Sequence, residues 1–112
     1  MIAVTVKNNT LNSEIENCFG KAKYFYLFDE ASGNSEFCLN PGYDLESGAG
    51  SKAVKFLVSK GVQTLISINI GIKAKKLLDE KKVQIVIVPL KYRLLFQLTR
   101  FFNSSVNEKI DK

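Results

Sequence analysis

Two thiols and no imidazole define the chemistry open to this chain: Cys18 and Cys38 are its soft donors, and none of its 112 residues is histidine. Acid-base and nucleophile-activating schemes built on imidazole are therefore closed to it. A thiolate suits iron, copper or a metal-sulfide cluster, and Lys21 and Lys23, just after Cys18, favour the deprotonated form. Cys18 is the candidate metal ligand. Cys38, on a strand beside the charged Glu36, is the weaker candidate. The competing reading of each is a small buried hydrophobe. With no secretory leader expected, the pair reads as free thiols rather than a disulfide. Carboxylates do not converge: Asp29 and Glu36 fall on a hairpin, Asp44 and Glu46 in a loop, and the first strand has none. A two-metal nuclease centre needs such a cluster.

A second kind of chemistry comes from glycine. Ser47-Gly48-Ala49-Gly50-Ser51-Lys52 opens one helix and Asn69-Ile70-Gly71-Ile72-Lys73 opens another, while Asn8-Asn9 follows the first strand. Helix starts present unpaired N–H groups and the positive end of a dipole, and glycine lets an anion approach the main chain. Asn8, Gly48, Gly50, Ser51, Asn69 and Gly71 are thus candidates for holding an anionic ligand. The plainer alternative is that these glycines only make turns. Gly48 to Lys52 fails the phosphate-loop pattern, because Ser51-Lys52 stands where Lys-Ser is required and a loop precedes it.

The elements that must position these residues follow from periodicity. Ile2 to Val6 is a β-branched run that fits a central strand, and Tyr24 to Asp29 an aromatic one. Ser32-Gly33-Asn34 turns the chain into Ser35 to Asn40, with Phe37 and Leu39 on one face and Glu36 and Cys38 on the other. Residues 10 to 23 read as irregular. Ala53, Val54, Phe56, Leu57 and Val58 recur at helical spacing before Gly61. A strand over Val62 to Ile68, a helix over Ile72 to Glu80 burying Ala74, Leu77 and Leu78, and an apolar strand over Val83 to Val88 follow. Tyr92, Leu94, Leu95, Leu98, Phe101 and Phe102 form the apolar face of a third helix. The order predicts an α/β fold with a mixed sheet, its first, fourth and fifth strands parallel, and a ligand crevice at their carboxyl ends between strands one and four. One domain is expected over residues 1–102, with a polar tail at 103–112.

The run Cys18-Phe19-Gly20-Lys21-Ala22-Lys23-Tyr24-Phe25 resembles the His-Phe-Gly-(Arg/Lys)-Ala-x-Tyr-Phe motif of the NifX and NifB C-terminal family, with cysteine in place of histidine. Those small proteins carry or help assemble the iron-molybdenum cofactor of dinitrogenase. Asn40-Pro41, Gly48-Ala49-Gly50, Lys60-Gly61-Val62 and Asn69 to Ala74 extend the resemblance in order over roughly residues 2–90. It implies a ribonuclease H-like motif with five strands in the order 3-2-1-4-5 and three helices. It also implies an iron-sulfur or iron-molybdenum-sulfur cluster, or its precursor, as the anionic ligand, and a protein partner in cluster assembly. Many members carry histidine after Asn-Pro, where this chain offers Tyr43, Asp44 and Glu46.

Composition is consistent with that outline. The net charge of +5 favours anionic partners. The lysines are dispersed without interleaved exposed aromatics, so nucleic acid ranks last among them. No apolar run is long enough to span a bilayer, and a cytoplasmic protein is expected. The first functional expectation is a non-catalytic binding protein that holds a metal-sulfur cluster. The alternative is a metal-free interaction module of the same fold that engages a protein partner through its basic crevice or third helix.

Overall fold

The computed structural model describes residues 1–89 and 91–102. Strands β1 (Ile2–Val6), β2 (Tyr24–Phe28), β3 (Ser35–Leu39), β4 (Thr64–Ser67) and β5 (Gln84–Ile87) form one sheet in the order β3-β2-β1-β4-β5. β1 pairs antiparallel with β2 and parallel with β4, and β4 is parallel to β5. This is the expected sheet. The central strand is buried from Ala3 to Val6, as befits a β-branched run covered on both faces.

Alternation along the strands makes two cores. Ala3, Phe25, Leu27 and Leu65 face Ala53, Val54 and Leu57 of α1 (Ala49–Ser59) and Ala74 and Leu78 of α2 (Ile72–Glu80). Val4, Val6, Tyr26, Phe28 and Ile66 face the other way, onto Leu95 and Leu98. Those two belong to α3, the helical residues 95–102, against which Phe102 stacks on Phe28 at 5.4 Å between ring centroids. α1 ends as Gly61 enters the left-handed region at φ +80°. The Gly61 amide then donates to the Val58 carbonyl and the Val62 amide to that of Leu57, closing the last turn. Lys82, at φ 61°, closes α2 by the same bond pattern without glycine's freedom.

Five expectations need correction. The stretch read as irregular contributes Ile15 and Phe19 to the cores, and residues 19–21 form a 3-10 turn. Val58 is exposed because it lies beyond the sheet-facing stripe of α1, and Leu39 because it ends an edge strand. Val86 and Ile87 are exposed too, since β5 is the other edge. Phe101 turns outward on α3, with its ring edge-on to Tyr92. The tail expected at 103–112 lies outside the described residues.

Candidate functional site

Cys18 sits where β4 hands over to α2. It forms an isolated parallel bridge with Asn69, and the Phe19 amide donates to the Asn69 carbonyl at 3.0 Å. Phe19 then dives into the core beside Phe25, which stacks on Phe56 of α1. The thiol-bearing turn is thereby tied to the sheet and to α1 at once. Behind it, the buried hydroxyls of Thr5 and Ser67 lie 3.0 Å apart across β1 and β4, and Thr5 Oγ1 donates to the Glu16 carbonyl. Cys18 itself is half-buried.

The starts of α1 and α2 flank this turn. The first helical bonds run from the Lys52 amide to the Gly48 carbonyl and from the Lys75 amide to that of Gly71, and among the described residues no side chain caps either helix. The amides of residues 49–51 and 72–74 therefore have no partner within their helices. Gly20 lies over α1: a Cβ there would stand 3.7 Å from the Gly50 nitrogen, in ordinary contact. Gly50 is within the first turn and meets Ala74, so it also sets how closely α1 approaches α2. Gly48 holds φ +75°, which explains glycine at that turn, whereas Gly71 has an ordinary φ and open space around it. Ser51 is half-buried in the first turn.

Cys18 is thus paired with Asn69, and Gly20, two residues on, meets Gly50, with Gly48, Ser51 and Gly71 on the same helix starts. Asn8 does not join them. Its amide and that of Lys7 donate to Ser13 Oγ, and residues 11–15 bond to residues 93–96 on the α3 side. The Ser13 hydroxyl thus folds the segment after β1 away from the helix starts. There Lys7, Glu14 and Asn17 of the segment wall a cleft of about 350 Å³ with Ile68, Tyr92 and Arg93. Lys7 and Glu14 pair at 2.9 Å, which raises the lysine pKa and lowers the carboxyl's, chiefly through their hydrogen bond. Asn17 and Ile68 adjoin Cys18 and Asn69, so the bridge between those two separates the cleft from the helix starts.

Sequence reading missed three controls on this geometry. Glu16 Oε2 accepts from the amides of Asn17, at 2.6 Å, and Cys18, which fills those two donors from within the chain. Lys23 lies over the rings of Tyr24 and Tyr43, at 5.7 and 5.8 Å, so it packs the 43 loop rather than facing Cys18 alone. Asn40 is buried and clamps that loop by four hydrogen bonds. Of these, only Asn40 carried a signal, as an asparagine before Pro41-Gly42.

The family described as dinitrogenase iron-molybdenum cofactor matches residues 1–101. The chain belongs to this family. Two solved structures extend the likeness to the backbone of this dinitrogenase-cofactor family member. The apo form of the orange protein from Desulfovibrio gigas superposes with a TM-score of 0.80 at 26% identity, over 94% of this chain and 88% of that one. A Thermotoga protein described as a putative NifB protein of the DUF35 family gives 0.75 at 32% identity, over 93% and 86%. No curated protein matches. Among the described residues no helix is long and apolar enough to cross a membrane.

Cys38, the second thiol, is on β3 and donates to Glu36 Oε1 at 3.4 Å. Burial first, then that carboxylate, pushes its pKa up. In Cys18→Ser protein, alkylation of Cys38 by iodoacetamide should rise at a more alkaline pH than that of an unperturbed thiol, near about 8.5. Because the folded state holds this proton more tightly than the unfolded chain, stability contributed here falls as pH climbs from the unfolded to the folded pKa. A pH profile matching a free thiol would contradict the assignment.

Proposed function

We propose that this family member is a non-catalytic holder of an anionic metal-sulfur cluster or its precursor. The cluster is taken as cargo, gripped by the Cys18 thiolate and by main-chain amides at the starts of α1 and α2. The observation that carries the reading is that Cys18 lies half-buried at the carboxyl end of the sheet, bridged to Asn69, with two uncapped helix starts beside it. Among the described residues no three His, Cys, Asp or Glu gather into a metal-binding set. One thiol fits a preassembled cluster that brings its own sulfide, and does not fit a bare ion, whose closed protein sites need about four ligands. The orange protein is an apo form and the Thermotoga relative is described as a putative NifB protein; both descriptions support a carrier role. A single domain over residues 1–102 and a cytoplasmic setting belong to the same reading.

Protein purified without oxygen from cells grown with iron and molybdate should absorb in the visible and carry sub-stoichiometric metal. Cys18→Ser should reduce retention by more than the roughly 10–100-fold typical of losing an outer-shell partner. Gly20→Ala, which places a methyl beside the Gly50 amide in ordinary contact, should stay folded and also weaken retention. A colourless, metal-free preparation after anaerobic reconstitution with iron, sulfide and molybdate would reject the carrier and leave the metal-free interaction module.

A further inference from the structure

Eight of the lysines that read as dispersed along the sequence are gathered by the fold onto one layer. Residues 49–82, which span α1, β4 and α2, hold eight lysines and two carboxylates, whereas the rest of the sequence holds eight cations and nine carboxylates. The two helices cover one face of the sheet, and all eight lysines are exposed. Among the described residues, Lys75 is the one lysine of the eight with a carboxylate in reach, Asp79 at 3.9 Å. Lys60 lies over the Phe56 ring. The helix layer is therefore a basic surface whose charges find few partners among the described residues.

At its centre is a recess of about 240 Å³ between α1 and α2. Val54, Val58 and Leu77 line it, Lys55 and Lys81 flank it, and Ser51 joins it to the start of α1. An apolar hollow surrounded by cations is complementary to an apolar side chain surrounded by carboxylates. We infer that the α1–α2 face is a docking surface for an acidic protein segment that inserts an apolar anchor between Val58 and Leu77. Nucleic acid fits less well: the phosphates would meet the lysines but leave the hollow unfilled, and the face offers no exposed aromatic for a base to stack on. A membrane fits less well because the apolar surface between Lys55 and Lys81 is a recess, and Ile72, which does protrude, is a single residue at the start of α2. The proposal does not depend on Cys18.

Isotopically labelled full chain is titrated with a short synthetic peptide of Glu and Asp around a central Leu-Phe pair. Saturable NMR shifts are expected at Val54, Val58 and Leu77, with binding weakened by added salt. Affinity should fall about tenfold or more when the central pair becomes Gly-Gly, and likewise in Val58→Glu, each change removing about 1.4 kcal/mol or more. Val58 is exposed, so that variant keeps its fold; Lys55→Gln with Lys81→Gln gives an independent check on the charge component. Cys18→Ser should bind the peptide unchanged, which separates this outcome from loss of the cluster. Equal binding of the Gly-Gly peptide, absence of binding at millimolar peptide, or tighter binding of single-stranded DNA or phosphatidylserine vesicles with the same shifts would overturn the inference.

Discussion

Phe25→Ala is expected to remove about 3–5 kcal/mol of stability, within reach of the whole for a domain whose total is about 5–15 kcal/mol. The ring is fully buried near the start of β2, and its register partners are Thr5 on β1 and Cys38 on β3. It is sandwiched between Phe19, at 5.9 Å, and Phe56, at 6.1 Å. Truncation loses the transfer free energy of the ring and both aromatic contacts, and opens a cavity where three elements meet. Phe37→Ala, on the edge strand β3 and only half-buried, is the control and should cost less. Urea denaturation compares the two. A Phe25→Ala loss no larger than the control's would mean that Phe19 and Phe56 close over the gap. The Cys18 turn hangs on the core through Phe19, so the same variant should loosen the candidate site before the chain unfolds globally.

Strands and helices were legible because burial imposed their periods. β1 had to be β-branched to lie between β2 and β4 with both faces covered, and α1 had to repeat Ala53, Val54 and Leu57 to cover Ala3 and Leu65. Residues 10–23 were not legible. Their order comes from long-range bonds, such as the Ile15 amide to the Arg93 carbonyl and the Glu16 amide to that of Thr5, which leave no local period. Lys82 illustrates a different limit: it takes the left-handed C-terminal position that sequence reasoning assigns to glycine or asparagine. Exposure was the weakest reading. Val86 and Ile87 look like core residues, and only their place at the end of the strand order puts them in solvent.

The candidate site was legible as parts. The types and order of Cys18, Gly48, Gly50, Ser51, Asn69 and Gly71 pointed to helix starts and a thiol, and the fold brings those segments to one end of the sheet. The direction of each segment was not legible. Asn8 follows the right strand, but a hydroxyl five residues further on captures its amide and carries the loop to the other face. Gly42 follows Asn40-Pro41 in the loop that leads to α1. The structure shows that any Cβ there would run into the Ala49 carbonyl at the start of α1, so its lack of a side chain is a packing requirement.

Asn40→Ala is the second large effect, expected to cost about 2–4 kcal/mol although no charge or apolar bulk is removed. Its Nδ2 donates to the Ala22 carbonyl at 2.8 Å, and its Oδ1 accepts from the Gly42 amide at 2.9 Å. Truncation strands a carbonyl and an amide, each costing about 1–3 kcal/mol when buried without a partner. Its main chain adds bonds from its own amide to Lys23 and from the Tyr43 amide to its carbonyl, which alanine can keep. The loss should therefore be local: amide hydrogen exchange should quicken at Gly42 and through the first turn of α1 more than along β1. Asn40→Asp separates the two halves of the clamp. It keeps an acceptor for Gly42 but replaces the donor to Ala22 with a carboxylate that must protonate or stay charged in a buried site. Its folded-state pKa is raised, so the deficit should be smallest in acid and grow as pH rises from the unfolded carboxyl's pKa, near about 3.9, through the folded one. Equal destabilisation of Asn40→Asp at pH 4 and pH 8 would show that the Ala22 bond contributes little. The loop leading to the α1 amides would then be held by Gly42 and Tyr43 instead.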